Sequence, residues 1–166
     1  MFKWIHNITA PTDLAIIPHK SIPITLAGNN KVGFNDMMHF CKSHKSDDVE
    51  NNRTIIINTL PLTEQNHLIP NTLSYQSEEG IINSIMGDYR RDLTNYTVII
   101  YGKHCADDTV DKKYKQMIRL GFSNTFIYYG GLFEWMLLQD IYGTENFPTT
   151  NLSITDPLKY SPRRKL

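Results

Sequence analysis

Runs of β-branched and aromatic residues, bounded by polar residues, predict three strands in this chain. They lie near residues 55–58, 98–101 and 125–129. The first two are nearly continuous apolar runs rather than alternations of apolar and polar residues. Such runs are typical of strands buried on both faces in a parallel sheet.

Helical spacing of apolar residues appears between these strands. The clearest helix covers 109–120 and ends at Gly121, and its apolar face is predicted to hold Val110, Tyr114, Met117 and Ile118. Weaker helical patterns cover 34–44, 78–86 and 132–138. Strands that alternate with helices of this length predict an α/β domain whose central, mostly parallel sheet is flanked by helices.

The 166 residues suit one domain with its own core. We expect residues 1–33 to form an N-terminal extension that packs on the domain, with a short edge strand at 22–26. The domain itself is expected at 34–142, followed by an irregular tail at 143–166. Neither an internal repeat nor a second domain is evident.

Charge and composition limit the kinds of partner and the cellular setting that we expect for the chain. Lys and Arg total 17, as do Asp and Glu, so net charge draws the chain neither to nucleic acid nor to an anionic membrane. The basic run Arg163–Lys165 is expected to be a solvated tail. No apolar stretch approaches the roughly 18 residues that span a bilayer. Two cysteines make no disulfide framework, and no secretory pattern opens the chain, so an intracellular, cytoplasmic setting is expected.

Several segments, taken in chain order, carry a resemblance to a known family. They are Ile57–Leu60, His67–Thr72, Val98–Gly102, Leu120–Phe122 and Gly130–Trp135. In this order and at these spacings they resemble the rhodanese homology domain of sulfurtransferases. The resemblance covers roughly residues 34–140 and implies a rhodanese-like α/β fold. A narrower resemblance is to the short rhodanese-like proteins of large DNA viruses.

The loop after the second strand departs from the family pattern. Family sulfurtransferases place a cysteine directly after this strand, where backbone N–H groups and a helix N-terminus stabilise its thiolate. Counting from the strand puts that position at Gly102. Counting back from Leu120–Phe122 puts it near His104, because this loop is about two residues longer. Cys105 coincides with neither count, so it is only a candidate catalytic residue.

The other loop residues have mixed chemistry. Lys103 and His104 would favour a thiolate or an anionic donor such as thiosulfate. Asp107 and Asp108 would repel both, and they are placed to cap the helix that begins near Thr109. The loop is therefore either an ordinary solvated loop with a capping pair or the site of a Cys105 nucleophile.

The end of the first strand also departs from the family. Asn58 and Leu60 stand where the family commonly has an Asp and an Arg, so the charged pair is lost. A related phosphatase activity would need a cysteine at the start of the loop and an arginine at its end to grip phosphate. No arginine lies between Gly102 and Lys113.

Outside the loop, the candidate metal ligands and catalytic residues are interpreted as structural. His39, Cys41 and His44 fall within six residues, but side chains two apart on a helix diverge and no second cluster completes four ligands, so no metal is predicted. Cys41 is expected to face the core. His67 is structural in the resemblance.

The aromatic residues near the double glycine allow two interpretations. Phe133 and Trp135 are expected to pack in the core over the sheet edge. Alternatively, an exposed Tyr128 and Tyr129 with Phe133 could form a docking surface. No Walker loop, dinucleotide fingerprint or nucleophile elbow is found, so no cofactor is predicted.

Two functions remain open. The first is a catalytically silent or weakly active rhodanese-like module that binds an unknown protein partner, through the loop rim and the C-terminal tail. The alternative is a thiosulfate-type sulfurtransferase acting through a Cys105 persulfide. Thiosulfate or another sulfur donor would be a partner only in the second case.

Overall fold

The alternation of strands and helices predicted from the apolar pattern is present in the structure. The computed structural model describes residues 30–43 and 53–162. Its strands are β1 Thr54–Asn58, β2 Thr97–Tyr101 and β3 Thr125–Tyr128. Its helices are α1 Phe34–Ser43, α2 Tyr75–Gly87, α3 Thr109–Arg119 and α4 Gly131–Tyr142. Short 3-10 turns occupy Leu62–Glu64, Leu93–Asn95 and Pro157–Tyr160.

The three strands form a parallel sheet in the order β1-β2-β3. Ile56 pairs with Ile99, and Ile100 pairs with Ile127. Single parallel bridges extend both edges, from Lys31 to Ile127 and from Ile56 to Thr72. The prediction of an α/β fold with a mostly parallel sheet flanked by helices is confirmed.

Side chains leave the sheet on both faces and enter two apolar clusters. Ile56, Ile99 and Tyr101 face a cluster that receives α1 and α4. Ile57 and Ile100 face a second cluster that receives α2 and α3. Both faces are covered, which explains why β1 and β2 read as continuous apolar runs. Because the strands are parallel, their carboxyl ends lie at the same end of the sheet.

The segment after α4 contributes to the core. Phe147 and Tyr160 are buried in the same cluster as α1 and α4. The predicted edge strand at 22–26, most of the expected extension 1–33, and the basic run Arg163–Lys165 lie outside the described residues. In the part of the chain that the structure describes, no helix is both long and apolar enough to cross a membrane.

Candidate functional site

The loop of residues 102–108 joins β2 to α3 at the carboxyl end of the sheet. This end is where open α/β sheets bind their ligands. The chain leaving β1 borders the loop, because Thr59 N donates a hydrogen bond to Tyr101 O at 3.0 Å. Asn58 Oδ1 accepts from Leu60 N at 3.1 Å, and both residues are buried. The uncharged Asn58 thus stabilises the strand end locally, without an ion pair.

The carboxylate of Asp107 occupies the interior of the loop. Its Oδ2 accepts a hydrogen bond from Lys103 N at 2.9 Å. Its Oδ1 accepts from Thr109 N at 3.0 Å and lies 2.5 Å from Thr109 Oγ1. The amides at the two ends of the loop therefore converge on an anion that belongs to the chain itself.

Opposing effects act on the pKa of Asp107. Burial of the carboxyl group raises its pKa, and this is the largest single effect. The hydrogen bonds from Lys103 N and Thr109, together with the nearby His104, act in the opposite direction and hold the pKa of Asp107 below its ordinary value. Asp107 is therefore ionised at neutral pH, as an anion bound by amides should be.

Gly102 is buried directly beside this carboxylate. A Cβ at position 102 would lie 2.6 Å from Asp107 Oδ2 and 2.5 Å from Val110 Cγ2. Contacts this short require the neighbours to shift. Asp107 and Val110 thus fill the space that a side chain would need at position 102, which is one of the two positions predicted for a family cysteine.

Cys105 takes no part in the group of backbone amides that bind Asp107. It is exposed, and within the described parts of the chain no residue forms a hydrogen bond with its thiol. Neighbouring amides have other acceptors: Ala106 N donates to His104 Nδ1 at 3.3 Å, and Asp107 N donates to His104 O at 3.0 Å. The loop thus brings Asp107, but not Cys105, to the convergent amides.

Lys103 is neutralised by a partner far away in sequence. Its Nζ donates to Glu64 Oε1 at 2.8 Å, and each side chain is 25% exposed. Glu64 ends the 3-10 turn that follows β1. Sequence analysis missed this residue, since nothing in the pattern around it indicates a role. The pairing leaves little positive charge on Lys103 for an incoming anion.

The start of α4 fixes the loop from the other side. Leu132 N donates to Gly102 O at 2.9 Å, and Phe133 N donates to Lys103 O at 3.0 Å. Gly131 has φ of +65°, and a Cβ there would lie 2.6 Å from Gly102 O. Only glycine allows this approach. The double glycine therefore brings the first turn of α4 onto the loop backbone.

The predicted capping pair is right for Asp107 and wrong for Asp108. Asp108 occupies the position before α3, but its side chain makes no capping hydrogen bond and is exposed. The carboxylate one residue earlier reaches Thr109 N instead. An Asp108 cap would accept from Val110 N or Asp111 N, and Val110 N instead donates to Asp107 O at 3.4 Å.

The structure describes two of the three residues of the predicted cysteine–histidine cluster. His39 and Cys41 are described, whereas His44 lies outside the described residues. Among the residues described, no three His, Cys, Asp or Glu side chains are grouped to hold a metal ion. Cys41 is buried as expected, and burial raises the pKa of its thiol to about 12. It is therefore protonated at neutral pH and unsuited to act as a nucleophile.

His67 ties the segment after α4 to the domain. The residue is buried, and its Nε2 lies 2.9 Å from Ser153 O and 3.1 Å from Ser153 Oγ. Leu68 N also donates to Thr150 Oγ1 at 3.0 Å. These contacts support a structural role for His67.

Burial contradicts part of the proposed aromatic docking surface. Tyr128 is only 1% exposed, so the prediction that it is exposed is wrong, while Tyr129 and Phe133 are half-buried. Trp135 is fully buried, and its Nε1 donates to Pro148 O at 2.8 Å. Its ring packs edge-on against Phe147 at 5.1 Å between centroids. The prediction that Trp135 belongs to the core is confirmed.

Comparison with known proteins gives a fold-level similarity. No protein-family profile matches the chain, and no curated protein matches it. Among solved structures, the chain is similar to a single-domain sulfurtransferase of Saccharomyces cerevisiae, at 18% identity and a TM-score of 0.43. The alignment covers 68% of this chain and 93% of the yeast one. At this identity the similarity assigns no activity to the chain, and the parallel α/β arrangement stands on the sheet and helices themselves.

Proposed function

We propose that the chain is a rhodanese-like domain that binds a protein partner and catalyses little or no sulfur transfer. The order of its elements and the sequence segments that resemble the family support the rhodanese-like assignment. An intracellular, cytoplasmic setting and the narrower likeness to proteins of large DNA viruses stay predictions.

The observation that carries this proposal is the Asp107 carboxylate bound to Lys103 N and Thr109 N. A sulfurtransferase needs such amides free to stabilise the anionic forms of its cysteine. Here a substrate anion would have to displace a carboxylate that is always present at high local concentration. Gly102 supplies no thiol at that point, and a thiol would not fit without movement of Asp107 and Val110.

The alternative is sulfur transfer through Cys105, and its exposed, free thiol favours this possibility. The thiolate of Cys105 would attack the outer sulfur of thiosulfate, forming a persulfide and releasing sulfite. Cyanide or an acceptor thiolate would then take the outer sulfur and regenerate the thiolate. In this geometry the reaction would proceed in solvent, without the amides that Asp107 holds.

Thiocyanate formation from thiosulfate and cyanide tests the proposal. The full chain should show no turnover above that of its Cys105→Ser variant, which serves as the matched control. An active sulfurtransferase assayed in parallel shows that the reagents work. Turnover by the wild-type chain that disappears in Cys105→Ser would overturn the proposal in favour of the enzyme.

A further inference from the structure

A cleft of about 740 Å³ lies between α2 and α3, beside the carboxyl end of β1. Its volume is within the usual range for ligand sites. Buried Ile82 and Met117 contribute to its lining, and Thr59 and Thr109 border it near the loop. Cys105 and Asp107 do not line it, so the cleft adjoins the loop only through Thr109.

An ion pair holds the two walls of the cleft together. Lys113 Nζ on α3 donates to Glu78 Oε1 on α2, and these side chains are 20% and 16% exposed. The other charged residues lining the cleft are Glu79 and Lys112, so its charges balance. A cleft with balanced charge gives no net attraction to phosphate, thiosulfate or nucleic acid.

Carboxamide groups are unusually frequent in the lining. They belong to Asn58, Gln65, Gln76, Asn83 and Gln116. A carboxamide offers both hydrogen-bond donors and an acceptor without charge. The side chains at 76, 83 and 116 make no hydrogen bond to any residue that the structure describes. The cleft thus presents free donors and acceptors along both helices.

Asn58 adds a further donor to this set. The residue is 8% exposed, and its Oδ1 is committed to Leu60 N. No acceptor for its Nδ2 is found within 30–43 or 53–162. The Nδ2 group is therefore free to donate to an entering carbonyl oxygen.

We infer that this cleft binds an extended, uncharged peptide segment of a protein partner. A peptide backbone is neutral and carries one donor and one acceptor per residue, which matches the carboxamides. One of its carbonyls accepts from Asn58 Nδ2, and an apolar side chain contacts Ile82 and Met117. The inference rests on the proposal that the chain is a binding module, and it identifies the partner's chemistry.

The probe is a peptide selected on the full chain from a phage library of random sequences. The library peptides have about ten residues and span roughly 33 Å when extended. Selected peptides are synthesised, and their Kd is measured on the full chain and on variants. Asn83→Arg and Gln116→Arg place long side chains in the cleft from α2 and α3. Asn58→Asp keeps the acceptor for Leu60 N but removes the donor. Ser84→Arg, exposed on α2 and not lining the cleft, is the matched control.

Each cleft variant should weaken binding about tenfold or more, while Ser84→Arg leaves the Kd within about twofold. Enrichment no better than on a bare surface, or peptides that bind all variants equally, would overturn the inference. The thiocyanate assay on the same preparations separates the two proposals. If the chain forms thiocyanate and its peptide binding depends on the cleft, only the proposal of a catalytically silent domain is rejected. If it forms no thiocyanate and its peptide binding does not depend on the cleft, only the inference about the cleft is rejected.

Discussion

The Asp107 carboxylate lies against Gly102, where a Cβ would stand 2.6 Å from Asp107 Oδ2. The contact joins two features of the loop, because the carboxylate that fills the space beside Gly102 also binds the amides of Lys103 and Thr109. Each half of the relationship can be tested separately.

Gly102→Ala should destabilise the fold by about 1–3 kcal/mol, as overpacking of a filled site does. The added methyl group would meet Val110 Cγ2 at 2.5 Å as well as Asp107. Chemical denaturation measures the free energy of unfolding.

Gly80→Ala is the matched control for that substitution. Position 80 lies within α2, and a Cβ there meets nothing within 4 Å. Its unfolding free energy should rise by up to about 1 kcal/mol, because alanine favours the helix. If Gly102→Ala proves as harmless as Gly80→Ala, the space beside Gly102 is not filled.

Asp107→Ala should lower the unfolding free energy by about 1–2 kcal/mol, the usual cost of losing a helix cap. Asp108→Ala should change it by less than about 0.5 kcal/mol, because the Asp108 side chain makes no capping bond. Each substitution removes one negative charge from neighbouring positions, so the two variants differ in the lost capping bond and not in net charge. Equal losses in both variants would contradict the assignment of the cap to Asp107.

The contribution of Asp107 should also depend on pH. Its pKa is lowered in the folded state, so its stabilisation is complete above the ordinary aspartate pKa of about 3.9 and declines as pH falls through the folded value. The stability difference between wild type and Asp107→Ala should be constant from about pH 7 to 5 and shrink below about pH 4. A difference that grows on acidification would mean that the carboxyl group is held in its neutral form.

Trp135→Ala should cost about 3–5 kcal/mol of unfolding free energy. The side chain is fully buried, packs against Phe147 and donates to Pro148 O. Trp135→Phe keeps much of the apolar contact and should lose less. A loss under about 1 kcal/mol for the alanine variant would place Trp135 at the surface.

Much of the fold could be predicted because its strands are buried on both faces. The predicted starts and ends of the three strands agree with β1, β2 and β3 to within one residue. Helix α2 begins earlier than predicted, at Tyr75, because Ser74 caps it by accepting from Ser77 N at 3.2 Å. The single bridges at the sheet edges could not be predicted, since one paired residue leaves no pattern.

The length of α3 was predicted better than the set of its residues that are buried. Val110 and Met117 are buried and Tyr114 is half-buried, but Ile118 is 39% exposed. The periodicity identified the helix, whereas the exposed residue depends on how closely α3 packs on β2 and β3. Exposure at the end of an apolar stripe is a tertiary property.

The loop shows what the sequence alone leaves undecided. The pattern placed Asp107 and Asp108 before α3 but could not tell which carboxylate would turn inward. That choice depends on Lys103 N, four residues earlier, and on the space left by Gly102. The ion pair between Glu64 and Lys103 could not be predicted either, because the two residues are 39 positions apart and leave no local pattern.

Intact-mass measurement after incubation with thiosulfate tests the central claim most directly. The account predicts that the full chain keeps its mass, because the Lys103 and Thr109 amides that converge within the loop are bound to Asp107. A stoichiometric gain of about one sulfur atom that is absent from Cys105→Ser would contradict it.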